Sequence, residues 1–324
     1  MIKVCVDAMG GEVDPSVVLE GVLQALEEDS ELEVLVAGKK EAIEDFCDTY
    51  ERATPLYATE EIGMDEHATD AFRRKKDSSI VVGCKAVKEG KADAFFSAGN
   101  TGAIFTAATF TIGRIKGISR PCLASFLPGL NGHETICMDL GANADCRPEM
   151  LLGFATMGYK FARVVKGIEN PKLGLLSNGE EDIKGNELTI KTHELLRESD
   201  LDFYGNCEGV DLLLGDFDVV VCDGFTGNCC LKTLEGTAKY LVSQIKAATK
   251  TSKRSALGAL LLKPALEEIG AKLSGDKHGG AILLGVKAPV FIGHGSTSAE
   301  AVKNGCLAAC RSVRLNVVEE LKAK

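Results

Sequence analysis

Short apolar runs alternate with stretches of helical periodicity along all 324 residues, and this alternation limits the fold more than any other feature. Strand patterns fall at 2–7, 32–37, 93–97, 121–126, 135–140, 172–177, 217–222 and 288–293. Runs such as Val219-Val220-Val221-Cys222 are apolar throughout, without polar alternation. That pattern suits strands covered on both faces, as parallel strands joined by crossover helices are. The intervening segments supply the helices. One begins near Pro15, a favoured first-turn residue, and sets Val18, Leu19, Val22, Leu23 and Leu26 on one face. Others run from Gly185 through Leu188, Leu195 and Leu196, and from about Ser298 to Lys322. The expected fold is α/β, an α/β/α sandwich around a mainly parallel sheet, with 1–324 as a single unit.

Residues 235–275 depart from the alternation. They read as two helices with no strand between them, one carrying Leu241, Val242, Ile245 and Ala248, the other Leu262, Leu266, Ile269 and Leu273. A helical hairpin protruding from the sheet body is expected. Its tip holds Leu257, Leu260, Leu261 and Leu262, bracketed by Lys250, Lys253, Arg254 and Lys263.

Hydrophobic residues make up 45% and charged residues 26%, enough for a packed core and against disorder. A net charge of −10 and the absence of Trp argue against a general nucleic-acid binder, which needs cations for phosphates and rings for bases. The 12 cysteines form no C-x-x-C, and Cys5, Cys137 and Cys222 lie inside apolar runs, so they read as reduced core residues. The same reading is preferred for Cys229-Cys230 and Cys306/Cys310. No signal-peptide pattern precedes the first strand pattern, and a cytoplasmic location is expected.

Ligands of open α/β sheets bind at the carboxyl ends of strands. Five turns there combine glycines with short polar side chains: Asp7-Ala8-Met9-Gly10-Gly11, Ser97-Ala98-Gly99-Asn100-Thr101-Gly102, Asp139-Leu140-Gly141-Ala142-Asn143, Asp223-Gly224-Phe225-Thr226-Gly227-Asn228 and Gly293-His294-Gly295-Ser296. Glycines let backbone approach a ligand closely, and helix starts favour an anion. Any one such turn is ordinary turn chemistry. Five together point to a phosphate. Between strand 172–177 and the next helix, Lys184 is the single lysine of a polar loop that continues to Asn186. P-loop, dinucleotide and G-x-S-x-G signatures are all absent, and nothing asks for a metal or cofactor.

Longer strings carry a resemblance: DAMGG (7–11), RRKKDSSIVVG (73–83), SAGNTGA (97–103), GRIKGISRP (113–121), DLGAN (139–143), NGEEDIKGNEL (178–188), DVVVCDGFTGN (218–228), GGAILLG (279–285) and HGSTS (294–298). Together they resemble the PlsX family, the acyl-ACP:phosphate acyltransferases of bacterial phospholipid synthesis. Glu12 and His67-Ala68-Thr69 depart from the family pattern. The resemblance implies an isocitrate/isopropylmalate dehydrogenase-like α/β/α fold, related to phosphate acetyltransferase, and a homodimer.

It also implies that inorganic phosphate attacks an acyl thioester on acyl carrier protein, giving an acyl phosphate for a membrane glycerol-3-phosphate acyltransferase. Phosphate is already an anion and a thiolate is a tolerable leaving group, so orientation and oxyanion stabilisation are the main demands. Lys184 and Asn228 are the expected catalytic pair. Gly10, Gly11, Gly99, Asn100, Thr101, Gly102, Asp139, Gly141, Asn143, Asn186, Asp223, Thr226, Gly227, His294, Gly295 and Ser296 are expected around the substrates. Arg73, Arg74, Lys75 and Lys76, with Lys250, Lys253 and Arg254, are candidates to meet the acidic carrier. The leucine tip at 257–262 is a candidate for peripheral contact with the inner face of the cell membrane, or for burial between protomers. A phosphate acetyltransferase, an inactive membrane scaffold and, more weakly, an NAD-dependent dehydrogenase remain alternatives.

Overall fold

The computed structural model describes residues 1–249, 252–273 and 276–322, and the side chains of these apart from 253, 266–273 and 276. Lys250 and the side chain of Lys253, both named above for the basic cluster, therefore lie outside the described residues, as do the side chains of Leu266, Ile269 and Leu273. The elements run β1 (Ile2–Asp7), α1 (Pro15–Glu28), β2 (Leu32–Gly38), α2 (Lys40–Thr49), β3 (Ala53–Tyr57), α3 (Ala68–Arg74), α4 (Ser79–Lys88), β4 (Ala94–Ser97) and α5 (Thr101–Ala107). Next come β5 (Cys122–Pro128), β6 (Glu134–Met138), α6 (Pro148–Lys166), β7 (Leu173–Leu176), α7 (Glu187–Arg197), β8 (Phe203–Cys207), α8 (Asp211–Leu214) and β9 (Val219–Val221). The chain ends with α9 (Gly224–Thr249), α10 (Lys253–Leu273), β10 (Ala281–Leu284), β11 (Val290–Ile292), α11 (Ala299–Arg314) and α12 (Val317–Lys322).

One 11-stranded sheet has the order β3-β2-β1-β4-β11-β10-β5-β6-β9-β7-β8. Successive residues of a strand face opposite layers, and both layers are apolar. Val4 and Val6 enter one core while Cys5 enters the other; Val219 and Val221 are divided in the same way from Val220 and Cys222. The continuous apolar runs follow from this double covering. The expected α/β/α sandwich with a mainly parallel sheet is what the chain forms. Asp14 caps α1 by accepting from the Ser16 N–H, with Pro15 at the first helical position.

Three antiparallel pairings interrupt the sheet, β11 with β10, β10 with β5, and β5 with β6. Strands β3, β2, β1, β4 and β11 run one way, and β6, β9, β7 and β8 the other. The five glycine-rich turns all follow strand carboxyl ends, as expected, yet they fall into two sets on opposite-running blocks. This corrects the picture of one common row of turns. The antiparallel steps on either side of the short β10 cancel, so β5 runs with the first block and the β5–β6 hairpin makes the net reversal.

The hairpin also begins earlier than expected. Helix α9 starts at Gly224, so the Asp223–Asn228 turn is the first turn of the protruding arm. At about 1.5 Å per residue its 26 residues span about 39 Å. Leu257, Leu260, Leu261 and Leu262 are 59–75% exposed, and Tyr240, Leu241, Val242 and Ile245 of α9 are exposed as well. Among the described residues no helix is long and apolar enough to cross a membrane.

Candidate functional site

The first set of turns is held by a buried carboxylate. Asp7, at the end of β1, accepts from the Met9 N–H at 3.0 Å and from Ser97 Oγ at 2.7 Å, and Ser97 Oγ accepts from the Gly99 N–H at 3.0 Å. Burial pushes the Asp7 carboxyl above its ordinary range, against hydrogen bonds that pull it down. Gly10 fills the remaining space: a Cβ there would lie 2.6 Å from Asp7 Oδ2 and 2.8 Å from Gly99 N. Gly11 has φ +104°, and the next N–H, of Glu12, donates to Gly295 O at 2.7 Å.

Asn100 is a clamp. Its Oδ1 accepts from the Ala103 N–H at 3.0 Å, capping α5, and its Nδ2 reaches the carbonyls of Gly63, Met64 and Glu66 at 3.0–3.2 Å. Gly102 packs beneath the same segment, with room for a Cβ only 2.9 Å from Ala68 Cβ. Thr101 stays exposed without a side-chain hydrogen bond among the described residues. In the last turn His294 Nδ1 accepts from the Ser296 N–H at 3.2 Å and lies 2.9 Å from Ser296 Oγ. An N–H only donates, so the proton of the neutral ring sits on Nε2, on an exposed side chain.

The second set repeats the device. Asp139 is fully buried. Its Oδ1 accepts from the N–H of Leu123 and of Ala142, each at 3.0 Å, and its Oδ2 from Asn143 N at 2.7 Å and Asn143 Nδ2 at 2.8 Å. Burial raises this carboxyl too, outweighing those four bonds. Asn143 Nδ2 also donates to Pro121 O at 2.9 Å, so its amide is spent on holding the turn. Asp223 caps α9, accepting from Thr226 N at 2.9 Å and Thr226 Oγ1 at 2.7 Å. The Gly224 N–H donates to Asn143 O at 2.8 Å, and a Cβ on Gly227 would collide with the Asp139 carbonyl. The Asp139 turn and the start of α9 are thereby locked together. Asn228 lies exposed against the Gly141 turn (φ +127°), with no side-chain hydrogen bond among the described residues.

Beside them, at the end of β7, the loop to α7 is anchored at both sides. Asn186 Oδ1 caps α7 through the Thr189 N–H at 2.9 Å, while Asn206 Nδ2 donates to Glu181 O at 2.9 Å. His193 Nδ1 donates to Asn206 Oδ1 at 3.0 Å, and Arg197 Nε donates to His193 Nε2 at 3.3 Å. Gly179 packs on the stem of Lys184. The Lys184 ammonium is exposed and has no hydrogen bond or ion pair among the described residues.

The sixteen residues expected around the substrates and the catalytic pair thus divide by role. Asp139, Asn143, Asn186, Asp223, Thr226 and Asn100 hold turns with their own polar atoms. Lys184, Asn228 and Thr101 keep theirs free. Residue patterns missed the anchors His193 and Asn206, 13 residues apart and joined only by folding. They also missed Arg120 and Arg147, which flank a crevice of about 530 Å³ beside the Asp139 turn. Of the cysteines, Cys306 and Cys310 are buried as expected, but Cys229 is exposed and Cys230 half-buried, because α9 leaves the sheet there. Burial pushes the Cys146 thiol up to about 11, so it is protonated at neutral pH.

The fold is shared with a phosphotransacetylase and a phosphotransacylase. A phosphotransacetylase from Streptococcus pyogenes superposes with TM-score 0.61 at 17% identity, covering 97% of this chain and 94% of that one. A branched-chain phosphotransacylase from Enterococcus faecalis gives 0.59 at 17%, covering 97% and 100%. Sequence carries the comparison further. Residues 2–320 match the family described as fatty acid synthesis protein. A phosphate acyltransferase of Lysinibacillus sphaericus is 45% identical over 320 residues, 99% of this chain and 97% of that protein. One from Latilactobacillus sakei is 47% identical over 304 residues, 93% and 90% of the two chains. The chain belongs to this family of phosphate acyltransferases of fatty acid and phospholipid synthesis.

Proposed function

We propose that this enzyme moves a long-chain fatty acyl group from the thioester of acyl carrier protein to inorganic phosphate. A phosphate oxygen attacks the thioester carbonyl, the tetrahedral oxyanion collapses with cleavage of the C–S bond, and the thiolate leaves to take up a proton. The products are acyl phosphate and free carrier thiol. The observation that carries this reading is the pair Lys184 and Asn228. They follow the neighbouring strands β7 and β9, with unpartnered side chains, beside turns that Asp139, Asn143, Asn186 and Asp223 hold with their own polar atoms. Lys184 neutralises the phosphate or the developing oxyanion, and Asn228 donates to one of them.

The opposite-running turn sets fit one cleft. A twist of about 20–25° per strand, over the six steps from β1 to β9, turns the second block by about 120–150° and largely undoes its reversal. The turns bearing Gly10, Gly11, Thr101 and His294 then face the Lys184 side.

The acidic carrier is met at α3. Arg73, Arg74 and Lys76 are exposed there, Lys76 lies 4.0 Å over the Phe72 ring, and Phe110 beside it is 72% exposed. Lys75 is already engaged with Glu66 at 2.5 Å, so it holds the fold and not the partner. The Asn100 clamp ties the segment leading into α3 to the Gly99–Gly102 turn, which brings the docking face next to the site. The leucine tip and the exposed face of α9 serve membrane contact and a homodimer. Full burial of each leucine is worth about 1.5–3 kcal/mol. That places acyl phosphate beside the membrane glycerol-3-phosphate acyltransferase that consumes it. If liposome co-sedimentation is the same for Leu261→Glu, the tip does not contact the membrane.

Thiol release from palmitoyl carrier protein and from acetyl-CoA, with and without phosphate, tests the central reading. Phosphate-dependent release from the long-chain carrier is expected. Preference for acetyl-CoA makes the chain a phosphate acetyltransferase, and no release with either makes it a scaffold.

A further inference from the structure

The crevice beside the Asp139 turn does not end there. Its floor at Met150 and its wall at Arg120 continue into a second crevice of about 410 Å³ along α6, lined by Ile118, Gly153, Met157 and Leu321. The mouth is cationic. Neither the Arg120 nor the Arg147 guanidinium has a hydrogen bond or ion pair among the described residues, and both residues are exposed. Asp145 lines the same mouth, so two guanidiniums face one carboxylate and a surplus of one positive charge remains. Deeper in, Ile118, Leu152, Met157 and Leu321 give an aliphatic and thioether wall beside Glu149, Thr156 and Lys160, and methionine adapts to a flexible chain. Gly285 packs closely against two of these residues, since a Cβ there would lie 3.1 Å from both Ile118 Cγ2 and Met157 Sδ. Gly153 leaves the trough open: a Cβ on it would have no neighbour within 4 Å.

We propose that this trough holds the fatty acyl chain, with its phosphoryl end between Arg120 and Arg147. The inference rests on the acyl-transfer reading above and supplies what that reading lacks, a place for the chain. A single-chain amphiphile with an anionic head matches both ends: guanidiniums recognise phosphoryl oxygens in bidentate fashion, and the aliphatic walls exclude water from methylenes. The mouth opens on the Ala142–Asn143 backbone, which is bonded to Gly224 at the start of α9, one turn from Asn228.

Calorimetric binding of butyl, octyl and dodecyl phosphate to the full chain tests this without relying on catalysis. Affinity should rise with length in the native protein. In Gly153→Leu the rise should stop short, with dodecyl phosphate weakened at least tenfold and butyl phosphate within twofold. Gly153→Ala, which adds one methyl to the same open space, is the folding control and should follow the native protein for the two shorter probes. Arg120→Gln and Arg147→Gln should each weaken all three probes about tenfold. The same length dependence in Gly153→Leu as in the native chain overturns the trough. Equal affinity in the arginine variants overturns the head site. Alkyl phosphate binding without phosphate-dependent thiol release leaves the trough standing and removes the acyl-transfer reading instead.

Discussion

Asp7 and Asp139 occupy matching places in the two opposite-running blocks of the sheet. Each follows a central strand, each is buried, and each accepts hydrogen bonds from the backbone of the turn it begins. Around Asp7 the turns offer glycines, hydroxyls and His294 but no Lys or Arg. Around Asp139 stand Lys184, Asn228, Arg120 and Arg147. Both halves use carboxylates as architecture; only the second adds unspent cations and an unspent amide. A carboxylate in a glycine-rich turn therefore says little about chemistry until its partners are counted, because a side chain saturated by the backbone has nothing left for a substrate.

Lys184→Ala should break that division most sharply if the division is wrong. Loss of the free ammonium should slow phosphate-dependent thiol release by about 1,000-fold, about 4 kcal/mol of transition-state stabilisation, with the melting temperature unchanged within about 2 °C. A fall in melting temperature with activity retained would make the lysine a strut like Asp139. The converse holds for Asp139→Ala. Four N–H donors lose their acceptor, and unfolding in urea should show about 3 kcal/mol of lost stability. Native stability in this variant would mean the carboxylate is free to act on substrate. A smaller effect is expected at Asp223→Ala, about 1 kcal/mol for a lost helix cap. Because that cap fixes the first turn of α9, kcat should also drop several-fold through misplacement of Asn228. Unaltered kcat would separate the cap from the site.

Much of this was legible in the chain. Eight strand patterns correspond to β1, β2, β4, β5, β6, β7, β9 and β11. Two of the three that were missed, β3 and β8, are the edges of the sheet. Edge strands need not be apolar on both faces, so they tolerate Pro55 in one and Gly205 and Asn206 in the other. The third, β10, is only Ala281–Leu284, too short to stand out as an apolar run. Which turns share a side is decided by the antiparallel β5–β6 pair, and two apolar runs do not state their relative direction. Turn chemistry was likewise visible, because Gly, Asn and Asp have restricted uses there. Whether a given Asn is clamped or free was not visible, since Asn100 finds carbonyls 34–37 residues away. The arm was legible as two helices, but its start at Gly224 was hidden because Gly224 and Gly227 are poor helix formers, chosen for their fit against Asn143 and Asp139.

The smallest effect distinguishes the two carboxylates themselves. Burial raises both above the ordinary value of 3.8, so the folded chain holds these protons more tightly than the unfolded one. Stability should then decline as pH rises from about 4 through the raised values. Asparagine at position 7 removes that slope at little cost. Its oxygen still accepts from the Met9 N–H, and its Nδ2 can donate to Ser97 Oγ, whose second lone pair serves Gly99, so only the Ser97 O–H loses its acceptor. Asp7→Asn should therefore lie within about 1 kcal/mol of the native chain and show a flatter pH profile in urea unfolding. Asp139→Asn has no such escape. One of its two positions would set an NH2 against donors only, Leu123 and Ala142 on one side or the two nitrogens of Asn143 on the other. Equal tolerance of the two asparagines would show that the buried networks are interchangeable, and the contrast between the halves would rest on their cations alone.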